Sequence, residues 1–91
     1  MLYMVIETFH EGSKDKVYAR YPAKGRMLPE GLEYVDSWLE ESGGRCFQLM
    51  RTEARGLFRL WTEKWDDLVQ FEIIPVVGSP TKAKYRNQSE T

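Results

Sequence analysis

Cys46 and His10 are the one cysteine and the one histidine among 91 residues, and together they would make a nucleophile and its base. A thiol attacks only as the thiolate, and an imidazole is the side chain that titrates near neutrality. Cys46 lies inside "RCFQLMRT" (Arg45 to Thr52), a stretch of strand character in which cysteine is expected as a small buried hydrophobe. His10 stands beside Glu11 in a glycine turn. With no placed third group, it reads as a solvated turn residue rather than a general base. One histidine, one cysteine and carboxylates without ligand spacing point to no metal centre. No glycine-rich phosphate loop or serine-nucleophile elbow occurs, and no cofactor is expected. "KAKYR" near the end could grip an acidic partner, although a solvated tail is the expectation.

A second set of residues is suited to binding. Tyr34, Asp36 and Trp38 lie in "LEYVDSWLE", Gln48 in "RCFQLMRT" and Glu72 in "VQFEIIPV". Polar side chains on an otherwise apolar, covered face need partners, and a mixed aromatic and polar lining is typical of ligand cavities. The same residues could instead hydrogen-bond across a subunit interface. A third set is "LWTEKWDDLVQFEIIPVVG", where Trp61 and Trp65 stand one helical turn apart and Asp66 and Asp67 follow. On a wheel of about 100° per residue Leu57, Phe58, Trp61, Trp65 and Leu68 fall within about a third of the circle. The two indoles therefore read as core between a helix and a sheet.

The positioning elements follow from the pattern. "LYMVIETF" (Leu2 to Phe9) is β-branched and aromatic without glycine or proline, a strand with both faces partly buried. Ser13 and Asp15 predict a first helix beginning after Gly12, and Pro22 predicts that it is short or kinked. "PAKGRMLPEG" (Pro22 to Gly31) is a connection or lid packed by Met27 and Leu28. Strands from Leu32 to Glu40 and from Arg45 to Thr52 form a hairpin around "ESGG". An odd loop puts Trp38 on the face of Cys46, Gln48 and Met50, and an even one puts it with Phe47 and Leu49. The odd loop separates the residue types better, gathering Val35, Leu39, Phe47 and Leu49, and is the register preferred. Thr52 is the expected N-cap of a second helix reaching Leu68, with Arg59 and Glu63 as an i, i+4 pair. Gly56 costs that helix roughly 1 kcal/mol, which a close backbone approach would explain. Val69 to Val76 is the fourth strand, and Pro75 places it at an edge or marks its end.

Strand, helix, strand, strand, helix, strand is the ferredoxin-like βαββαβ order of an α+β domain. Right-handed crossovers put both helices on one face of a four-stranded antiparallel sheet. The other face stays apolar and bare, more than a soluble monomer usually exposes. The expected cover is a second copy packed sheet to sheet, giving a dimeric α/β barrel in which the binding set would line the interior. Residues 1–78 make the single domain, and 79–91 read as a flexible polar tail.

"YMVIETF" running into a glycine turn, the "LPEG" loop and above all "WTEKWDDLVQFEIIPVV" resemble a family of short bacterial proteins catalogued as domain of unknown function 3303. The likeness spans about Met1 to Val77. It implies the dimeric α/β-barrel, ferredoxin-like superfamily and supplies no catalytic residues. That superfamily includes cofactor-free monooxygenases, haem-handling proteins and stress-responsive proteins, an analogy of fold alone.

Thirteen basic against fourteen acidic side chains leave a net charge of −1, no footprint for a phosphate backbone or an anionic membrane. No run approaches the roughly 20 apolar residues of a membrane helix. The N-terminus lacks signal-peptide features, and a lone cysteine cannot form an internal disulfide, so a cytoplasmic protein is expected. Its expected partners are itself and a small ligand. The function classes are a barrel binding a small aromatic or apolar molecule, a cofactor-free monooxygenase-like enzyme, and a non-enzymatic homodimeric interaction module.

Overall fold

A computed structural model of the chain describes residues 1–79. The tail expected from residue 79 therefore lies, from residue 80 on, outside the described residues. The elements are β1 (Leu2–Phe9), α1 (Lys14–Lys24), β2 (Glu33–Leu39), β3 (Arg45–Arg51), α2 (Leu57–Thr62) and β4 (Val69–Val76). The sheet runs β2-β3-β1-β4 with every neighbouring pair antiparallel. This is the ferredoxin-like arrangement predicted from the element order. Neither helix is long and apolar enough to cross a membrane.

Strand pairing decides what each face carries, because successive side chains alternate. On β1, Tyr3, Val5, Glu7 and Phe9 point to the helices. Opposite them are Met50, Gln48 and Cys46 on β3, and Ile73, Phe71 and Val69 on β4. Tyr3, Val5 and Met50 from the sheet pack with Phe58, Trp61 and Trp65 as the core. Tyr3 meets Phe58 edge to face at 4.9 Å, the arrangement that ring quadrupoles favour. The opposite face carries Met4, Ile6, Phe47, Leu49, Trp38 and Ile74 with no helix over it, and Trp38 is 50% exposed.

The hairpin register is the even one. Leu39 pairs with Cys46 and Trp38 with Phe47 across the four residues Glu41 to Gly44 and their flanks. Turn chemistry overrides the neater segregation of apolar residues here. The Glu40 N–H donates to the Arg45 carbonyl at 2.8 Å, that of Gly43 donates back to the Glu40 carbonyl at 2.7 Å, and Gly43 takes a φ of 82°. A bulge at Val35 then shifts the register, so that Tyr34 faces Met50 while Asp36 faces Leu49. Tyr34, Ser37 and Leu39 thus share the helix side, and Asp36 and Trp38 share the open side.

Both helices depart from the sequence expectation at their ends. α1 runs through Pro22; the bond that proline removes belongs to a helix with no buried residue, where water can take the freed carbonyl. The Gly25 N–H, at φ 66°, closes it on the Tyr21 carbonyl at 2.7 Å. Ser13 makes no side-chain cap, and only its carbonyl serves, accepting from the Val17 N–H. Thr52 does not cap α2 either. Its hydroxyl accepts the Ala54 N–H at 3.0 Å in a local turn, and Gly56 occupies the N-cap. A Cβ at Gly56 would meet nothing within 4 Å, so no close approach explains that glycine. After Thr62 the chain coils in tighter turns, with bonds such as Lys64 N–H to the Trp61 carbonyl. The apolar stripe nevertheless stays against the sheet, with Phe58, Trp61, Trp65 and Leu68 all buried. Asp67 has a reason that sequence did not reveal: Arg20 on α1 grips both its carboxylate oxygens at 2.9 and 2.8 Å, and also donates to the Lys64 carbonyl.

Candidate functional site

A cleft of about 300 Å³ opens between α1 and the helix side of the sheet. Phe9, Val17, Tyr18, Leu39, Trp61, Trp65 and Val69 give it apolar and aromatic walls. Its polar lining is Glu7 on β1, Cys46 and Gln48 on β3, Ser37 on β2 and Arg26 from the connection after α1. The pairing explains the cluster: Glu7 lies directly opposite Cys46, and Gln48 opposite both Val5 and Ser37.

Gln48 is 7% exposed, and its Oε1 has no hydrogen-bond partner among the described residues. Leaving a buried amide oxygen unsatisfied costs roughly 1–3 kcal/mol. Burial pushes the Glu7 carboxyl above its ordinary range, opposed by a hydrogen bond from Gln48, the Arg26 charge and a hydrogen bond from Cys46. Burial also pushes the Cys46 thiol up to about 11, with the neighbouring Glu7 charge adding to it. At neutral pH Cys46 is therefore held as the uncharged thiol, the form that does not attack. The charges acting on it are those of Glu7 and Arg26. His10 lies past the end of β1, its backbone N–H donating to the Leu68 carbonyl at 2.9 Å.

Arg26 is held from both ends. The indole N–H groups of Trp61 and Trp65 donate to its carbonyl at 3.0 and 3.1 Å. Its guanidinium lies 3.7 Å from the centre of the Tyr34 ring and 5.2 Å from that of Tyr21, and donates to the Tyr21 hydroxyl at 2.8 Å. The flanking backbone is unusual, with Gly25 at φ 66° and Met27 at φ 58°, a left-handed region that is uncommon outside glycine. Met27 and Leu28 pack on the core as expected, so the connection lies down over the helices' apolar layer.

The structure divides the five sequence-chosen residues. Gln48 lines the cleft, and Tyr34 flanks it through Arg26 and a 2.6 Å hydrogen bond with the Ser37 hydroxyl. Asp36, Trp38 and Glu72 stand on the open face, where Trp38 pairs with Phe47 and Glu72 with Ile6. Asp36 accepts the Ser37 N–H at 2.8 Å. Sequence reasoning missed Glu7 and Arg26. A signal for Glu7 existed, since it shares parity with Tyr3 and Val5 and so puts a carboxylate on the inward side of an apolar strand. Arg26 offered no such signal. Trp61 and Trp65 are core, as the stripe predicted, and are also the wall of the cleft. No cluster of three or more metal-ligating side chains occurs among the described residues.

Among known proteins, no curated protein and no solved structure matches the chain. One family model, Domain of unknown function (DUF3303), matches residues 1–89. With nearly its whole length covered, the chain belongs to the DUF3303 family.

Proposed function

We propose that this protein is a small-molecule-binding domain whose site is the cleft between α1 and the sheet, and that it takes an aromatic or apolar ligand carrying an O–H or N–H group. The unpartnered Gln48 Oε1 carries this reading. It is a buried acceptor in a cleft with aromatic walls, and a ligand donor placed there removes the penalty of an unsatisfied amide. Glu7 beside it can accept a second hydrogen bond or a proton. Native mass spectrometry of freshly purified protein, together with thermal-shift measurements on a set of hydroxyaryl compounds, tests the reading. A retained mass or a stabilising compound, weakened in Gln48→Leu, supports it; neither in the wild type sinks it.

The bare sheet face supports a second element of the proposal. Trp38 at 50% and Ile74 at 37% exposure, with Phe47 beside the first and Met4 beside the second, make an apolar surface that a second copy would cover sheet to sheet. The proposed assembly is a cytoplasmic homodimer. The ligand site in each copy lies on the far side of the sheet from the partner.

A further inference from the structure

We infer that the ligand of this cleft is an aryl carboxylic acid, its carboxylate gripped by the Arg26 guanidinium and its hydroxyl or N–H donor reaching Gln48 Oε1. This deepens the reading above and rests on it. Arg20, Arg45, Arg51 and Arg59 each sit on a carboxylate, and Arg55, outside the cleft, lies over the Tyr3 ring. Arg26 lines the cleft, yet it is in none of the ion pairs among the described residues. One of its N–H groups is used on the Tyr21 hydroxyl; a guanidinium has five, all in its own plane. The Tyr34 ring against it and the two indoles on its carbonyl fix both plane and backbone before any ligand arrives. A planar, immobilised fork with free in-plane donors matches a carboxylate, which it can bind in a bidentate way.

The rest of the polar lining completes the match. The Arg26 charge is felt at both Glu7 and Cys46, so the cation acts on the polar end of the cleft and not on bulk solvent alone. The aromatic walls of the cleft suit a flat ring. An anion on Arg26 would also withdraw that cation from Glu7, leaving Glu7 more easily protonated and able to donate to the ligand.

Calorimetric titration of the full chain with 6-hydroxy-2-naphthoate and with 2-naphthol separates the two ideas. The acid is expected to bind the wild type about tenfold or more tighter than the alcohol. Arg26→Gln should erase that advantage while leaving 2-naphthol within about twofold, and added salt should weaken the acid alone. Thermal melts of the variant confirm that it is folded. If 2-naphthol binds and the acid binds no better, or if Arg26→Gln weakens both alike, the carboxylate assignment is overturned and the pocket stands. If neither probe binds the wild type, both readings fall.

Discussion

The indole N–H of Trp61 donates to the carbonyl of Arg26 at 3.0 Å, across 35 residues of chain. This bond joins the most buried layer of the fold to a residue that lines the cleft, since Trp61 is 1% exposed. Trp61→Ala should lower stability by about 3–5 kcal/mol through the lost ring volume. Trp61→Phe retains most of the ring and should cost less, yet still release the Arg26 carbonyl from one of its two donors. Chemical denaturation of both variants checks this, and a Trp61→Ala protein as stable as the wild type would refute the core assignment.

Glu7 makes stability fall as pH rises. Its folded-state carboxyl titrates above the ordinary value because of burial, so the folded state holds the proton longer than the unfolded one. The contribution is fully present below the ordinary carboxylate range, near 4.5, and is lost as pH climbs through the raised folded value. Glu7→Gln, which cannot ionise, should therefore gain on the wild type between acid and neutral pH. Denaturation of the pair at pH 4 and pH 8 reads the difference, and a constant gap would contradict it.

Cys46 should resist alkylation. A thiol pushed to about 11 is thiolate in roughly one molecule in a thousand at pH 8. Iodoacetamide should then react about a hundredfold more slowly than with a thiol of ordinary pKa. Glu7→Gln removes the one charge that raises it and should speed the reaction. Mass spectrometry against time measures both rates.

Much of this was legible in the chain, and the remainder has identifiable causes. The apolar runs of β1 and β4 fix those strands to the residue, and the stripe through Phe58, Trp61 and Trp65 fixes which side of α2 meets the sheet. The hairpin register was not legible, because hydrophobic parity favoured one answer while the hydrogen bonds of a four-residue turn and a bulge dictated another. Binding residues chosen from that parity were consequently divided between two faces. Arg26 was invisible for a different reason: its place depends on a carbonyl captured by two indoles distant in sequence.

Asp67→Asn should loosen the link between α1 and the chain after α2. The Arg20 hydrogen bonds hold the Asp67 carboxyl below its usual range, so its contribution exists above that range and is lost as pH falls through the depressed folded value. The wild type should melt slightly higher than the variant at pH 7, with the difference narrowing in acid. The pair is solvent-exposed, which makes the effect small and salt-sensitive.

Trp38→Asp tests the proposed pairing of sheets. A charge on the β2 side of the bare face should convert a dimer to a monomer at micromolar concentration, as read by sedimentation velocity, while the fold persists. A wild-type protein already monomeric under those conditions would remove the argument for a covering copy.

The two outer strands of the sheet govern how far such association can go. β2 is bent by its bulge at Val35, and β4 carries Pro75, which lacks an N–H, opposite Tyr3. Neither rim offers a long regular row of hydrogen-bonding groups for another strand to extend. With both rims blunted, the sheet-to-sheet pairing proposed above would close on two copies instead of extending edge to edge. The bulge that disguised the hairpin register thus also guards one rim of the sheet against strand-by-strand growth into a fibre.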